Sequence, residues 1–511
     1  MIPRYWIVVL LLAGLFRPAV AQPFNIRIDP FGQGYGDGAL SVEVSNNGNY
    51  LVVASVPFNN GQFYYSSVVT SIMLSPLGEV LQIDRVVDPL HATYPGFCNS
   101  IVKRTDGGFV VGGGNFTTDS MDNWIQRPVL YFFDATGAYE EQVPLGPDNQ
   151  SWIGRQANQT PDGGYVISGE HSATEGNGLD AFVIKTDAQG NEEWTRSFGG
   201  QWNDTGNSIA SRMDGGYFFG GQYRINSSDA QVWVMALNYM GGVAWSRTWG
   251  GNFQDLNPHV VEMADGHVLI SSGLGHSSNG LYQAYMAKLD RSDGAFIWER
   301  EYGPVGPEVI IRSVHEITPF GDLIAVGRTR VSNSYYGTLF RTTNDGDSLW
   351  LRNYQYHDSL VSNASGLFYD AVPTPDGGFV AVGSAFSING IYTQDVWVIK
   401  TDSMGCIEPG CDVITGMQTQ LTNMKDALRV WPNPVQAGGA VQVELQLPDG
   451  FKADGPLQLT VTNGLGQLVH RQGLAQNPRP EVLEGQLSSG LYHLHLHDNT
   501  RWIAGAKLVV E

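Results

Sequence analysis

One phrase recurs along this chain and limits what it can fold into. Thr160-Pro-Asp-Gly-Gly-Tyr-Val-Ile-Ser-Gly169 returns as Thr374-Pro-Asp-Gly-Gly-Phe-Val-Ala-Val-Gly383, as Arg104-Thr-Asp-Gly-Gly-Phe-Val-Val-Gly-Gly113 and as Arg212-Met-Asp-Gly-Gly-Tyr-Phe-Phe-Gly-Gly221. Weaker copies stand at Ser45-Asn-Asn-Gly-Asn-Tyr50, Met263-Ala-Asp-Gly-His267 and Thr318-Pro-Phe-Gly-Asp322. The aligned glycines are Gly48, Gly107, Gly163, Gly215, Gly266, Gly321 and Gly377, spaced by 59, 56, 52, 51, 55 and 56 residues. A fixed period of this size means one supersecondary unit used seven times, each copy relying on its neighbours to cover its apolar faces.

Within a unit, Asp-Gly before an aromatic is a hairpin turn, because its central positions need positive φ. The apolar residues after it form the next strand. The second half is clearest from Asp180 to Trp194: a strand, a turn at Asp187 to Gly190, then a fourth strand from Glu193 to Phe198. Its relatives run from Gln231 to Trp245, Ala284 to Trp298, Gly337 to Trp350 and Asp395 to Cys406. Four short antiparallel strands per unit suit a closed ring, which leaves only short, protected edges. A linear solenoid would use shorter repeats and need caps. The expected fold is therefore all-β, a seven-bladed β-propeller of four-stranded blades over residues 22–413. The tryptophans should wedge between neighbouring blades. The first unit has no fourth strand before it and the last ends at Cys406, so Phe24-Asn-Ile-Arg-Ile-Asp29 should supply the missing outer strand and latch the ring.

The N-terminus has a basic residue (Arg4), an apolar run from Tyr5 to Phe16 and an Ala19-x-Ala21 site, the three parts of a cleavable signal peptide over residues 1–21. The run is too short to span a bilayer, and no later stretch is apolar and long enough, so no transmembrane segment is expected in the mature chain. Export fits the cysteines: Cys406 and Cys411 could close a small loop through a Pro-Gly turn in an oxidising compartment, leaving Cys98 as a buried thiol. With 29 Lys plus Arg against 50 Asp plus Glu, the net charge of −21 repels phosphate backbones and argues against nucleic acid as a partner.

The repeat stops after Cys411. Residues 414–426 are polar and read as a linker. A separate β pattern of period two fills residues 427–511, as in a small sandwich. Four ordered motifs in it carry a resemblance. They are the run Trp431, Pro432, Asn433, Pro434, then Asn463-Gly-Leu-Gly-Gln467, then Leu487-Ser-Ser-Gly-Leu-Tyr492 (with Gly490 and Tyr492), and the closing Lys507-Leu-Val-Val510. This tail resembles the C-terminal type A sorting domain of type IX secretion cargo of Bacteroidetes-type bacteria. The resemblance implies handling by the type IX machinery and passage through periplasm and outer membrane to the cell surface or medium. The repeats resemble the anonymous propeller cargo found before such tails, which implies no particular chemistry.

Chemistry is harder to read. Gly32-Gln-Gly-Tyr-Gly-Asp-Gly38 lacks the strand and helix a nucleotide loop needs, and no metalloprotease, serine-hydrolase or Walker motif occurs. No catalytic residue and no metal site is assigned. His493, His495 and His497 share a strand face but lack a fourth ligand. No cofactor is expected, and calcium has no sequence signature here. The pattern that stands out is topological. Loops joining second to third strands carry Tyr64 and Tyr65, Trp124, Tyr223, Tyr282, Tyr335 and Tyr336, and Tyr392. The blade-to-blade loops on the same face add Tyr94, Trp152, Trp202 and Phe253, with Asp37, Asp204 and Asp255. Rings beside carboxylates suit an extracellular glycan or peptide, which makes a binding or adhesion module the first expectation. A polysaccharide- or glycan-degrading hydrolase or lyase is the alternative. Rings packed on loop backbones, with Asp residues capping turns, would give the same sequence.

Overall fold

The computed structural model describes residues 22–511 except 31–35, 59–65, 119–123, 173–177, 252, 276–281, 304–307, 318–320, 332–333, 357–364, 387–393, 408–427, 448–455, 464–467, 476–479, 484–486 and 499–501. The third repeat shows how a unit folds. Strands Trp152–Gln159, Tyr165–Ser172, Leu179–Thr186 and Glu192–Phe198 pair antiparallel in that order. The repeated phrase is the first turn: Gly163 takes φ of 87° and its amide donates to the Thr160 carbonyl at 2.9 Å. Asp162 completes the turn by accepting from the Gly164 amide at 3.0 Å, which explains the Asp-Gly-Gly spelling.

Seven such sheets form among the described residues. The second departs from the rule, with its inner strand broken into Ala92–Pro95 and Ile101–Lys103, both on Phe109–Thr118. The seventh contains Ser365–Pro373, Phe379–Phe386 and Gln394–Thr401, and its outer strand is Phe24–Ile28, with Phe24 opposite Lys400 and Ile28 opposite Val396. The N-terminal strand thus closes the last blade, where its position in the sequence puts it. Arg27 pairs with Asp395 across this seam. Each sheet packs on the next, and the seventh packs on Gly38–Val44 of the first, so the ring is closed.

The core is seven apolar clusters, one between each pair of neighbouring blades. Fourth-strand tryptophans sit in these seams. Trp245 Nε1 donates to the Arg291 carbonyl of the next blade at 2.9 Å, and Trp298 Nε1 to that of Asn344 at 3.0 Å. The Trp245 ring covers Gly294, where an added Cβ would meet it at 2.8 Å. Phe24 of the latch covers Gly78 of the first blade in the same way, at 3.0 Å. The borrowed strand therefore fills the same wedge position as the native fourth strands.

The tail folds on its own core of Leu459, Val461, Leu494, Leu496, Leu508 and their neighbours. One sheet holds Leu428–Trp431, Gln442–Leu445 and Glu481–Val482; the other orders Leu468–Leu474, Leu457–Asn463, Gly490–His497 and Trp502–Val510. Period-two burial along Leu457–Asn463 and Gly490–His497 matches the sequence pattern. The residues of the Trp-Pro-Asn-Pro motif are not placed alike. Trp431 ends the first strand, half-buried, with the Arg429 guanidinium 5.5 Å over its ring. Pro432 and Pro434 are exposed, and each follows a cis peptide bond. Asn433 between them is the anchor: its Nδ2 donates to the Lys507 carbonyl at 2.6 Å and its Oδ1 accepts from the Val509 amide at 2.9 Å. Pro432 is therefore a surface corner of the motif rather than part of the sandwich core. Tyr492 is buried, and its hydroxyl donates to the Ser488 carbonyl at 2.8 Å. Residues 414–426 and the signal segment 1–21 lie outside the described residues.

Candidate functional site

The inner strands line the axis of the ring, and six of them carry the same irregularity. A β-bulge falls after Ala39, Gly154, Gly206, Leu256, Ile311 and Phe368. In the second blade the break between Pro95 and Ile101 takes its place. A bulge twists a strand and re-aims one side chain. Here it turns one residue per blade into the channel and places a polar residue directly after it.

Those following residues are Ser41, Ser100, Gln156, Ser208, His259, Ser313 and Asp370, all buried. They form a belt that ties blade to blade. Ser41 Oγ accepts from the Ser100 amide at 3.0 Å, Gln156 Oε1 from the Ile209 amide at 2.9 Å, and Ser208 Oγ from the Val260 amide at 3.0 Å. Asp370 is the busiest member. Its Oδ2 accepts from the Val42 and Asn99 amides at 3.2 and 3.1 Å, and its Oδ1 from Ser313 Oγ and the Ala371 amide at 2.9 and 3.0 Å. His315 Nε2 lies 3.1 Å from the same Oδ1. Backbone amides freed by the bulges are thus satisfied by side chains of the neighbouring blade.

In front of the belt lies a cavity of about 40 Å³, lined by Phe97, Cys98, Arg155, Asn207, Asn257, Pro258, His259 and Arg312. Since every inner strand starts at the blade-to-blade connections and the bulges come early in it, the cavity lies toward that end of the channel. Cys98, Asn99 and Asn257 are the non-glycine residues with positive φ among the described ones, at 30°, 52° and 40°, and all belong to this region. Such strained backbone persists where the surroundings hold it, and it gathers at ligand sites.

The cavity's charges are unequal. Arg155 is held by Glu170, with Nε 3.0 Å from Oε2, and lies 5.2 Å over the Phe97 ring. Arg312 lies 4.7 Å over the Tyr369 ring, its Nε is buried without a hydrogen-bond partner, and no carboxylate pairs with it among the described residues. Phe97 and Tyr369 stand 6.5 Å apart, so two ring–guanidinium pairs meet there. Gln156 Nε2, which can only donate, lies 3.4 Å from His259 Nε2. That assigns the ring proton to Nδ1, which is buried with no acceptor. Burial, and then His315, lower the His259 pKa to about 3, so the ring stays neutral. Burial pushes the Cys98 thiol up to about 12, which leaves it unreactive.

None of the aromatic and acidic residues singled out in the sequence for a ligand face lines this cavity. Asp204 and Asp255 are fully buried. Asp204 accepts from the Gly200 and Arg224 amides at 2.6 and 2.7 Å, and Asp255 from the Gly275 amide at 3.0 Å. Both carboxylates thus cap loops, and Asp255 Oδ2 is buried without a hydrogen-bond partner. Asp37 is their counterpart at the closing seam; its oxygens lie within 4.8 Å of those of Asp29 and Asp395, and burial, then Asp29, raise its pKa to about 7. Tyr223 packs edge-on against Trp233 at 5.4 Å, and Trp152 stacks on His171 at 4.1 Å. Tyr282 and Tyr336 are half-buried, and Trp202 is 39% exposed. Tyr64 and Tyr392 lie outside the described residues, as does the Trp124 side chain. Cys406 is disulfide-bonded and Cys98 is free; Cys411 lies outside the described residues.

The belt was within reach of the sequence. Its members stand seven residues before the aligned glycine in six units and eight before it in the unit of Gly321. All seven sit directly before Val, Ile or Ala, Ser100 before Ile101 of the broken strand included. A buried polar residue at a fixed repeat position is a signal that hydrophobic periodicity passes over.

Fold and channel together define an all-β propeller, closed by its own N-terminal strand around a polar axis. Its destination is written in the tail. Residues 429–511 match the family model of the secretion system C-terminal sorting domain. The tail is a type IX sorting domain, and the chain is a type IX secreted or cell-surface protein. No helix among the described residues is long and apolar enough to cross a membrane. No curated protein matches the chain. Solved structures similar to it include a protein of unknown function from Dyadobacter fermentans, at 11% identity over 74% of this chain and 97% of that one, with a TM-score of 0.43. Another is the β-propeller domain of the Trilobed protease from Pyrococcus furiosus, at 8% identity over 71% and 95%, with a TM-score of 0.39. A third is a mutant NanB sialidase from Streptococcus pneumoniae, at 8% identity over 75% and 71%, with a TM-score of 0.42.

Proposed function

We propose that this exported propeller is a ligand-binding module of the cell surface or medium, taking an extracellular glycan or peptide at the mouth of its central channel. The observation that carries the reading is the convergence, at one cavity, of Arg312 without a counter-charge, the Phe97 ring with Tyr369 beside it, and the positive-φ backbone of Cys98 and Asn257. Arg312 is half-buried, and its Nε, buried without an acceptor, is a donor that an incoming ligand can help to satisfy. Tyr223, Tyr282, Tyr336 and Trp202 are the rim that a long ligand would meet, and Tyr64, Trp124 and Tyr392 are proposed as ligand residues on the sequence pattern alone. In the same reading residues 1–21 are the export signal, 414–426 link propeller to tail, and Cys406 pairs with Cys411.

The alternative, a glycan-degrading hydrolase or lyase, has one observation in its favour. Asp37, with its raised pKa beside Asp29 and Asp395, is a carboxylate cluster of the kind acid–base catalysis uses. Asp37 is only 4% exposed, so a substrate would have to open the closing seam to reach it.

The test follows the melting temperature of the chain from Gln22 onward against polysaccharides, peptidoglycan fragments and peptides. One class should raise it reproducibly, and Arg312→Gln should remove the rise. A flat panel would sink the binding reading, and turnover abolished by Asp37→Asn would replace it with the enzyme.

A further inference from the structure

Within the binding reading, which this inference rests on, the chemistry of the cavity narrows the ligand. The net charge of −21 repels an anionic ligand at long range, so an acidic ligand depends on local charge at the cavity; elsewhere the buried and half-buried cations are mostly paired with carboxylates. Lys185 meets Glu193, Lys288 meets Asp265, Lys400 meets Asp376, Arg155 meets Glu170 and Arg328 meets Glu308. Arg312 is the exception at the channel. Asp370, the carboxylate of the polar belt behind the cavity, has both oxygens filled by amides, a hydroxyl and His315. The other groups facing the cavity are neutral or already matched: Asn207 and Asn257 as amides, His259 as a neutral ring and Arg155 against Glu170. The site therefore offers one uncompensated positive charge, with amide side chains beside it. It also offers Phe97, a ring 38% exposed.

We propose that the channel cavity takes the carboxylate of an acidic saccharide, with Arg312 as its counter-ion, Asn207 and Asn257 as hydrogen-bond donors and the sugar ring resting against Phe97. The size of the cavity, about 40 Å³, admits a carboxylate and its water but not a whole sugar. The ring must stay at the mouth, where an exposed aromatic face is what a saccharide stacks on. A guanidinium suits a planar carboxylate better than a lone ammonium does, because its donors are forked. A neutral sugar would leave Arg312 unpaired and gain nothing from it.

Calorimetric titration of the chain from Gln22 onward tests this with oligogalacturonate, the matching neutral oligogalactoside and an acidic peptide. Oligogalacturonate should bind at least tenfold more tightly than the neutral oligomer. Arg312→Gln should remove that preference while leaving the melting temperature and circular dichroism near wild type. Arg312→Lys should retain part of it. Should Arg312→Gln fail to fold, Asn257→Asp decides, since aspartate tolerates the left-handed backbone there. The new carboxylate should pair with Arg312, raise the melting temperature and abolish oligogalacturonate binding. Equal affinity for acidic and neutral sugars, or an acidic preference that survives Arg312→Gln and Asn257→Asp, overturns the inference and leaves the binding reading standing. Preference for the acidic peptide over both saccharides also overturns it. No binding of any probe overturns both.

Discussion

Asp370 shows how much a single residue can hold in a closed ring. Two amides from the first and second blades, a serine and a histidine of the sixth and its own neighbour's amide all meet its carboxylate. Removing a buried acceptor leaves each donor without water or partner, so Asp370→Ala should cost about 3–5 kcal/mol. The urea midpoint measures it, and a loss below roughly 1 kcal/mol would mean that the belt is not a structural tie. The loop aspartates predict a pH dependence instead. Asp255 has a folded-state pKa raised from 3.8 to about 7 by burial. An acid whose folded pKa is raised binds its proton more tightly in the native state. The stability it confers is therefore present below the unfolded value and is lost as pH rises toward 7. Asp255→Asn should raise the melting temperature at pH 8 and leave it unchanged at pH 4. His259 works in the opposite sense: its pKa is depressed from 6.5 to about 3, so stability falls as pH drops below 6.5. His259→Gln should flatten that acid limb.

At the scale of elements, the blades were legible because the turn chemistry and the apolar period agree. Asp-Gly-Gly fixes the first hairpin, alternation fixes the strands, and the fourth-strand tryptophans mark where one blade meets the next. The latch strand was legible from counting alone, since a ring of seven four-stranded blades lacked one strand and the N-terminus had one to spare. Deleting residues 22–29 should expose the edge of Gln394–Thr401 and the seam under Phe24. It should lower the melting temperature by roughly 5–10 °C from the apolar burial lost. An unchanged melting curve would show that the last blade stands without it. The channel was not legible, for a physical reason. Bulges shift register by one residue, so the side chain turned inward at Arg155 or Arg312 cannot be placed by a strict period of two. The loop aromatics were legible as residues but not as a site. Trp152 and Tyr223 lean on their own blades, and nothing in sequence separates a ring that caps a blade from one that waits for a ligand. The sorting motif shows the same limit, since its spelling does not say that Asn433 holds the last strand while Pro432 faces outward.

For the whole molecule, fold and address are separate statements in one chain. The ring follows from repetition, and the destination follows from residues 429–511. In a host with the type IX machinery, a chain lacking 429–511 should accumulate in the periplasm while its propeller melts as before. Fractionation followed by a melting curve reads both, and surface display without the tail would refute the assignment. The closing strand adds something the tail alone cannot. Phe24–Ile28 waits for a partner, Gln394–Thr401, that is made some 370 residues later, and the sorting domain is made after that. A chain broken off anywhere before residue 401 is thus an open ring without an address. The address is, in effect, a certificate of completeness: whatever reads it receives a chain that already has every blade and both halves of its clasp.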